Sequence, residues 1–324
     1  MSEMENAATT VARLLKTKMR VVKDDGALAN ITVTSEWQNT EALKNCDGQV
    51  TVGLAESTDQ KIELSGKTRR RLSTLRINVW ATDTPGTGET GRIMRGKIVE
   101  EVNRVIRQNR SKPNETLYDF FNLGPATQTH RAYRGNSEVS PQASGWMELS
   151  SEQYPQLWYS DDDRCQVSYS ANGEYAVLLF RFRIESREKT AKKMVLAFEG
   201  YGTAPDSNGV AIKVWNNVAS AWQNAQTGGT GGNDETITIT LDSDMPNYID
   251  DDGYVWLLAK TLSASDGATP AVLNCDYVSC TVTVNGITYC DIVSFRDVDR
   301  VDVKPFIFRT EIIVKSWFFE NIGV

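Results

Sequence analysis

The sequence contains little of what most enzymes and metal sites depend on. Its 324 residues include one histidine, His130, and five cysteines with no Cys-x-x-Cys pair. Zinc centres need clustered thiolates or imidazoles at short spacing, so a zinc site is excluded. Ser-His or Cys-His catalysis is disfavoured as well, because His130 has neither a Gly-x-Ser-x-Gly motif nor a cysteine beside it. We therefore expect a protein that is not an enzyme and whose cysteines are reduced.

Long apolar runs and a strong charge of one sign are also missing. No segment approaches the ~18 consecutive apolar residues that span a bilayer, and residues 1–10 are acidic and polar, unlike a signal peptide. The net charge of −7 argues against a nucleic-acid binder held by phosphate contacts. These features predict synthesis in the cytoplasm, no membrane partner and no general affinity for DNA.

Both ends of the chain combine helical and strand patterns. Apolar residues at helical spacing predict an N-terminal helix and a second helix over residues 91–110. Strict alternation predicts a strand over residues 72–80, and shorter strands are expected at 31–34 and 50–52. The extended run at residues 306–319 is too short to be a domain, so it is predicted to pair with the N-terminal sheet.

The middle of the chain has a different sequence pattern, in which short segments with alternating apolar residues lie between clusters of turn-forming residues. The alternating apolar residues are Phe180, Phe182 and Ile184, then Val210, Ile212 and Val214, then Ile237, Ile239 and Leu241, and finally Cys280, Val282 and Val284. Many such strands predict a β-sandwich. The predicted fold class is therefore α+β with an inserted all-β sandwich. The domains are 1–130 plus 286–324 (α+β), 131–154 (connector) and 155–285 (sandwich).

The insert resembles the galactose-binding-type jelly roll of many carbohydrate-binding modules. The resemblance is carried by Val195–Gly202, Val214–Asn217 with Trp222, Asn247–Tyr254 and Cys275–Val278. It implies a jelly-roll sandwich, a fold that serves many roles besides sugar binding.

The flanking segments resemble the tail-terminator proteins of long-tailed viruses of bacteria and archaea, in the order helix, strand, long strand (69–81), helix and final strand. The resemblance implies a ring of copies, a hexamer in that family, at the neck between head and tail of a virion. Its partners would be the tail tube, contacted through the loop at residues 83–90, and head–tail connector proteins, with DNA only passing through the ring. The candidate assembly residues are Arg69, Arg71, Arg76, Trp80, Lys315 and Trp317.

Two sets of residues in the insert are candidates for binding a ligand. Trp215 is in the solvent-facing phase of its strand, and with Trp222 and the amides of Asn216 and Asn217 it could stack on a sugar. A tryptophan in a sandwich more often closes a core edge, and that alternative stays open. The acidic runs are most simply polar loops, although a structural calcium ion would suit Asp161, Asp163, Asp250 and Asp252. No other cofactor is expected.

Two functions compete on these observations. The first is a structural virion protein that assembles as a ring and carries the sandwich outward for decoration or for attachment to a cell-surface glycan. The alternative is a stand-alone, lectin-like carbohydrate-binding module with no ring assembly. Oligomeric state and glycan binding distinguish them.

Overall fold

The computed structural model describes residues 3–35, 43, 45–62, 68–83, 90–185, 190–299 and 306–321. The chain divides into two compact units, one built on Leu117–Val284 and the other on Met4–Thr116 together with Asn285–Val324. We call them the sandwich unit and the helix-bearing unit. In the described part of the chain, no helix is apolar over a length that could cross a bilayer.

In the described part of the helix-bearing unit, two helices pack against one five-stranded sheet. The sheet order is β1-β2-β3-β16-β15, with β1 and β2 parallel and the other neighbours antiparallel. The elements are α1 (Ala7–Lys18), α2 (Gly91–Gln108), β1 (Ile31–Thr34), β2 (Gly48–Lys61), β3 (Thr68–Thr82), β15 (Tyr289–Asp297) and β16 (Ile307–Asn321).

Local sequence explains both helices. The Asn6 side chain caps α1 by accepting a hydrogen bond from the Ala8 amide at 2.8 Å, and Thr90 caps α2 in the same way. The apolar stripes of the helices pack on the sheet residues that alternation placed inward, such as Ile77 and Val79. The predicted pairing of residues 306–319 with the N-terminal sheet is confirmed, because β16 runs antiparallel along β3.

The sandwich unit consists of two antiparallel sheets around one core. The six-stranded sheet has the order β11-β10-β13-β8-β5-β6, and the facing sheet has the order β12-β9-β14-β4, with β7 also paired to β14. The chain crosses between the sheets after β4, β6, β7, β8, β9, β11, β12 and β13, as in a jelly roll. The prediction of a β-sandwich in this part of the chain is confirmed. Its strands are β4 (Glu115–Tyr118), β5 (Arg131–Gly135), β6 (Met147–Glu148), β7 (Cys165–Tyr169), β8 (Val177–Arg183), β9 (Ala191–Thr203), β10 (Val210–Asn216), β11 (Ala221–Gly228), β12 (Glu235–Leu241), β13 (Tyr254–Thr261) and β14 (Ala271–Val284).

The predicted α+β class is wrong, because strands make up 48% of the chain and helices only 13%. The prediction counted short strands at 50–52 and 72–80, whereas β2 and β3 are 14 and 15 residues long. From Gly53 onward β2 is exposed, so ladder hydrogen bonds rather than an apolar alternation hold this half of the strand. A pattern based on burial misses strands of that kind.

Residues 131–154 are likewise not a connector. They contribute β5 and β6 to the six-stranded sheet, with Ala132 opposite Phe180 of β8. Their Ser, Gly and Pro content predicted a loop. However, β5 is only five residues long and is stabilised by its pairing with β8. Of the loop at residues 83–90, expected to contact a tail tube, residues 84–89 lie outside the described residues.

Candidate functional site

The outer face of the six-stranded sheet carries a group of aromatic and cationic side chains. In β8, Phe180 and Phe182 point into the core, so Arg181 and Arg183 point outward. In β13, Val255 and Leu257 are core residues, so Tyr254 and Trp256 point outward as well. The outward-pointing side chains of β8 and β13 therefore share one surface of the sheet. We define the outer face by seven residues: Tyr133, Arg181, Arg183, Trp215, Trp222, Tyr254 and Trp256.

Strand register brings these side chains into rows across the sheet. Arg181 lies opposite Trp256 and Arg183 lies opposite Tyr254 on the neighbouring strand. At the far side of the sheet, Trp215 of β10 lies opposite Trp222 of β11. Directly opposed residues in antiparallel strands have neighbouring side chains, so the face is laterally continuous.

Tyr254 is the centre of a cation–π cluster. The Arg181 guanidinium carbon lies 4.2 Å from the Tyr254 ring centroid, and that of Arg183 lies 5.3 Å from it. Among the described residues, neither guanidinium forms an ion pair or a side-chain hydrogen bond. Two arginines are therefore held by an aromatic ring and keep their donor groups for other partners.

Two polar atoms of this cluster are buried and unpaired. Nε1 of Trp256 and Nε of Arg181 lack a hydrogen-bond partner, and Trp256 is only 8% exposed. Leaving a buried donor unsatisfied costs about 1–3 kcal/mol, so such atoms are rare in folded proteins. Both donors of this cluster are therefore unsatisfied in the free chain.

The segment from Glu138 to Trp146 covers the other part of the outer face. Glu138 bridges Lys213 of β10 and Lys260 of β13 at 2.7 and 2.9 Å. Burial raises the pKa of the Glu138 carboxyl, but the hydrogen bonds from the two lysines outweigh it and hold the pKa below its usual value. Trp146 lies directly on Gly135, where an added Cβ would approach its ring to 2.7 Å.

The predicted sugar-binding residues sit beside this covered part. Trp215 is 7% exposed and meets Trp222 edge-to-face at 5.1 Å, so it is not the exposed stacking ring that its strand phase predicted. Trp222 is half-buried and donates its indole N–H to the Val139 carbonyl at 2.9 Å. Asn216 holds its own turn, since its Oδ1 accepts from the Ala219 amide at 2.8 Å.

Asn217 lies next to this turn. Its backbone amide donates to the Asn247 carbonyl at 2.7 Å, while its side-chain Nδ2 is buried without a partner. The structure therefore brings the four predicted residues together but shields Trp215 from solvent. Tyr254 and Trp256 were not among the residues predicted from the sequence. Two aromatic residues at positions i and i+2 of a strand point to the same face, and this spacing could have identified them.

The acidic residues predicted to bind calcium cap their own turns. The Asp161 carboxylate accepts from the Asp163 amide at 3.2 Å, and Asp250 accepts from the amides of Asp252 and Tyr254 at 3.1 and 2.7 Å. Asp163 accepts from the side chain of Gln156. None of the four belongs to a group of three or more close metal-ligating side chains in the described chain. The calcium site stays a prediction.

One such group does exist among the described residues, formed by Asp162, Asp234 and Asp276. Arg164 pairs with two of its members, donating to Asp234 at 2.6 Å and to Asp162 at 2.7 Å. Burial raises the pKa of the Asp276 carboxyl, which accepts from the Asp162 amide at 2.9 Å. An arginine thus supplies the positive charge within this cluster.

The single histidine is a core residue. His130 is 8% exposed, packs against the rings of Tyr118, Phe120 and Phe182, and accepts a hydrogen bond from the Arg183 amide through Nδ1 at 2.9 Å. Burial, together with the charge of Arg181, lowers its pKa to about 4. It is neutral at pH 7 and positions the backbone of β8 beneath the outer face.

Four of the six residues predicted for ring assembly have side-chain partners within the helix-bearing unit. Arg71 pairs with Asp59 at 2.7 Å, and Arg76 lies 3.4 Å from Glu311. Trp80 is buried and donates to Thr51, and Trp317 stacks on Tyr289 with 4.0 Å between the ring centroids. Lys315 is exposed and Arg69 is half-buried. The ring and its virion partners stay predictions.

Two small cavities lie in the described part of the helix-bearing unit. One of about 120 Å³ is lined by Thr51, Arg76 and Asn78, and another of about 100 Å³ by Glu5 and Phe318 among others. Pockets for drug-sized ligands are roughly 300–1,000 Å³, so neither of these two has room for such a ligand.

Part of the chain is similar to known proteins. Residues 127–284 match a family model described as "Uncharacterized protein, C-terminal domain". No curated protein matches the chain. Among solved structures, one titled "CBM4 structure and function" matches at 12% identity and TM-score 0.29, covering 48% of this chain and 95% of that one.

Two further solved structures are similar over about half of the chain. The "xylan-binding module CBM15" matches at 14% identity and TM-score 0.26, covering 53% of this chain and 98% of that one. The enzymatically active domain of tailspike protein 4 from bacteriophage CBA120 matches at 10% identity and TM-score 0.24, covering 52% of this chain and 19% of that one. Similarity at this level does not define a ligand, so the ligand has to be inferred from the side chains.

Proposed function

We propose that the sandwich unit is a non-catalytic carbohydrate-binding module and that its ligand lies on the outer face beside Tyr254. The observation that carries the proposal is the pair of buried, unpaired donors, Nε of Arg181 and Nε1 of Trp256, next to a half-exposed tyrosine ring. A sugar suits both groups. Its apolar C–H face can stack on the tyrosine ring, and its hydroxyl oxygens can accept hydrogen bonds from the two donors.

The roles follow from the geometry. The Tyr254 ring stacks on one sugar, with its orientation fixed by the guanidinium of Arg181 at 4.2 Å. Nε of Arg181 and Nε1 of Trp256 have almost no exposed surface in the free protein, so a side-chain shift on binding has to uncover them before they donate to hydroxyls. Arg183 at the exposed edge contacts the next residue of the glycan. Because no histidine, activated nucleophile or paired acid and base faces this surface in the described chain, the expected outcome is binding without turnover.

A glycan array probed with the full-length protein is the first test, with neutral and charged plant, fungal and bacterial glycans. We expect binding to at least one class of glycan. Tyr254→Ala should weaken that binding at least tenfold, which corresponds to about 1.4 kcal/mol and is within the range of an aromatic stacking contact. Tyr159→Ala is the matched control, since Tyr159 is a 52% exposed tyrosine of the same unit away from the outer face.

Trp256→Phe separates a binding role from a structural one. The substitution keeps a buried aromatic ring but removes an N–H that has no partner in the free protein. We expect weaker glycan binding with no large loss of stability. A folded protein that binds no glycan on the array, or a Tyr254→Ala variant that binds as tightly as the parent, would rule the proposal out.

A further inference from the structure

Two of the five cysteines face each other across neighbouring strands. In the antiparallel pair formed by β7 and β14, Cys165 is directly opposite Cys275. Both are 0% exposed and both belong to the core between the two sheets, as do Val167 and Leu273 on the adjacent core-facing rung. Directly opposed residues of an antiparallel pair point to the same face, so the two thiols lie side by side.

The spacing at such a position suits a covalent bond. Opposed Cα atoms in antiparallel strands are about 4.5 or 5.5 Å apart, and disulfides join Cα atoms about 4.4–6.8 Å apart. The pKa of the Cys275 thiol is raised first by burial and then by the neighbouring Cys165. In the reduced form the Cys275 thiol donates weakly to the Tyr277 carbonyl at 3.8 Å.

No other pairing is equally placed. Cys280 lies opposite Leu196 of β9 and is five residues further along β14 than Cys275. Cys46 and Cys290 belong to the helix-bearing unit. Cys165 and Cys275 are therefore the one pair of cysteines that strand register places face to face.

We infer that Cys165 and Cys275 form a cross-strand disulfide when the chain folds in the presence of a small-molecule disulfide. One cysteine thiolate attacks a sulfur of the oxidant, forming a mixed disulfide and releasing one small thiol. The second cysteine thiolate attacks the protein-bound sulfur of that mixed disulfide and releases the other small thiol. In sum, two protein thiols are oxidised to one S–S bond, the oxidant is reduced to two thiols, and both protons end on those thiols.

Burial determines when this reaction takes place. Burial raises the pKa of Cys165 to about 12, so in the folded chain its thiolate, the reactive form, is scarce. Oxidation therefore precedes closure of the core or follows release of β7, a five-residue strand that pairs with β14 and with no other strand in the described sheets. Once formed, the bond is shielded from small reductants by the same burial.

Refolding the full-length protein with oxidised and reduced glutathione as the probe tests the inference. After an acid quench and alkylation, we expect the number of free thiols to fall from five to three. A tryptic map by mass spectrometry should show the peptides of Cys165 and Cys275 joined. The oxidised protein should unfold at a higher urea concentration than the reduced protein, and reduction under denaturing conditions should abolish the difference.

Two variants make the result specific. Cys280→Ala, a buried core cysteine that faces no cysteine, should still form the bond. Cys165→Ala should keep four free thiols after oxidative refolding and show no oxidant-dependent shift in its unfolding midpoint. Recovery of correctly folded protein with all five thiols free, or with a cross-link between other cysteines, would overturn the inference.

Discussion

Acidification should destabilise the sandwich unit through its one histidine. The unperturbed pKa of histidine is about 6.5, and the folded protein lowers that of His130 to about 4. The physical reasons are burial, the charge of Arg181, and the use of Nδ1 as an acceptor for the Arg183 amide, a hydrogen bond that protonation of Nδ1 breaks.

A fall in pH lowers the free energy of unfolding because His130 is protonated more readily in the unfolded chain. Because the pKa is lower in the folded chain, the unfolded chain takes up the proton first, and stability falls as the pH drops below about 6.5. The loss is complete below about pH 4, where it reaches about 3 kcal/mol, because each pH unit between the two pKa values contributes about 1.4 kcal/mol. At pH 5 the expected loss is about 2 kcal/mol.

Two measurements check this prediction. Because His130 is the only histidine, its Cε1–H resonance can be followed by NMR without assignment, and it should titrate near pH 4 in the folded protein. Urea unfolding at pH 7.5 and pH 5, followed by tryptophan fluorescence, should show the loss in stability. His130→Asn is the control, since the amide oxygen can replace Nδ1 as acceptor but does not titrate. A titration near pH 6.5, or equal pH dependence in parent and variant, would refute the reasoning.

Three further substitutions test the packing by urea denaturation. Arg13→Met should cost about 3–5 kcal/mol, because Arg13 and Glu5 form a buried ion pair and the carboxylate would lose its partner; a loss under 1 kcal/mol would contradict this. Gly200→Ala should cost at least ~2 kcal/mol, since its φ is +156° and an added Cβ would lie 2.1 Å from the Asn274 carbonyl oxygen. Asn6→Ala should cost about 1 kcal/mol by removing the cap of α1, and Asn6→Asp should restore most of it.

Strand positions with a clear period of two could be predicted from the sequence. Phe180 and Phe182 alternate with Arg181 and Arg183, and β8 has these residues inside and outside as expected. Residues without a local pattern could not be placed. β5 has only five residues and is a strand because β8 lies beside it, which depends on residues about fifty positions further along the chain.

The candidate site shows the same division. Sequence phase correctly put Trp215 on the outer side of its strand, but it could not show that a non-periodic segment around Val139 returns to cover that side. The opposition of Cys165 and Cys275 was equally invisible, because their separation in sequence carries no information about register. Pairing between distant strands is a tertiary property, and local alternation does not encode it.

The position of β16 determines the order in which the two units can be completed during synthesis. In the sheet, β16 lies between β3 and β15, yet it leaves the ribosome after every strand of the sandwich unit. While the sandwich closes, β3 has β2 on one side and an unpaired edge on the other, which is an aggregation hazard in a nascent chain. A chain released before residue 306 would therefore carry a complete sandwich beside an open sheet edge, and would be a preferred substrate for chaperones and proteases.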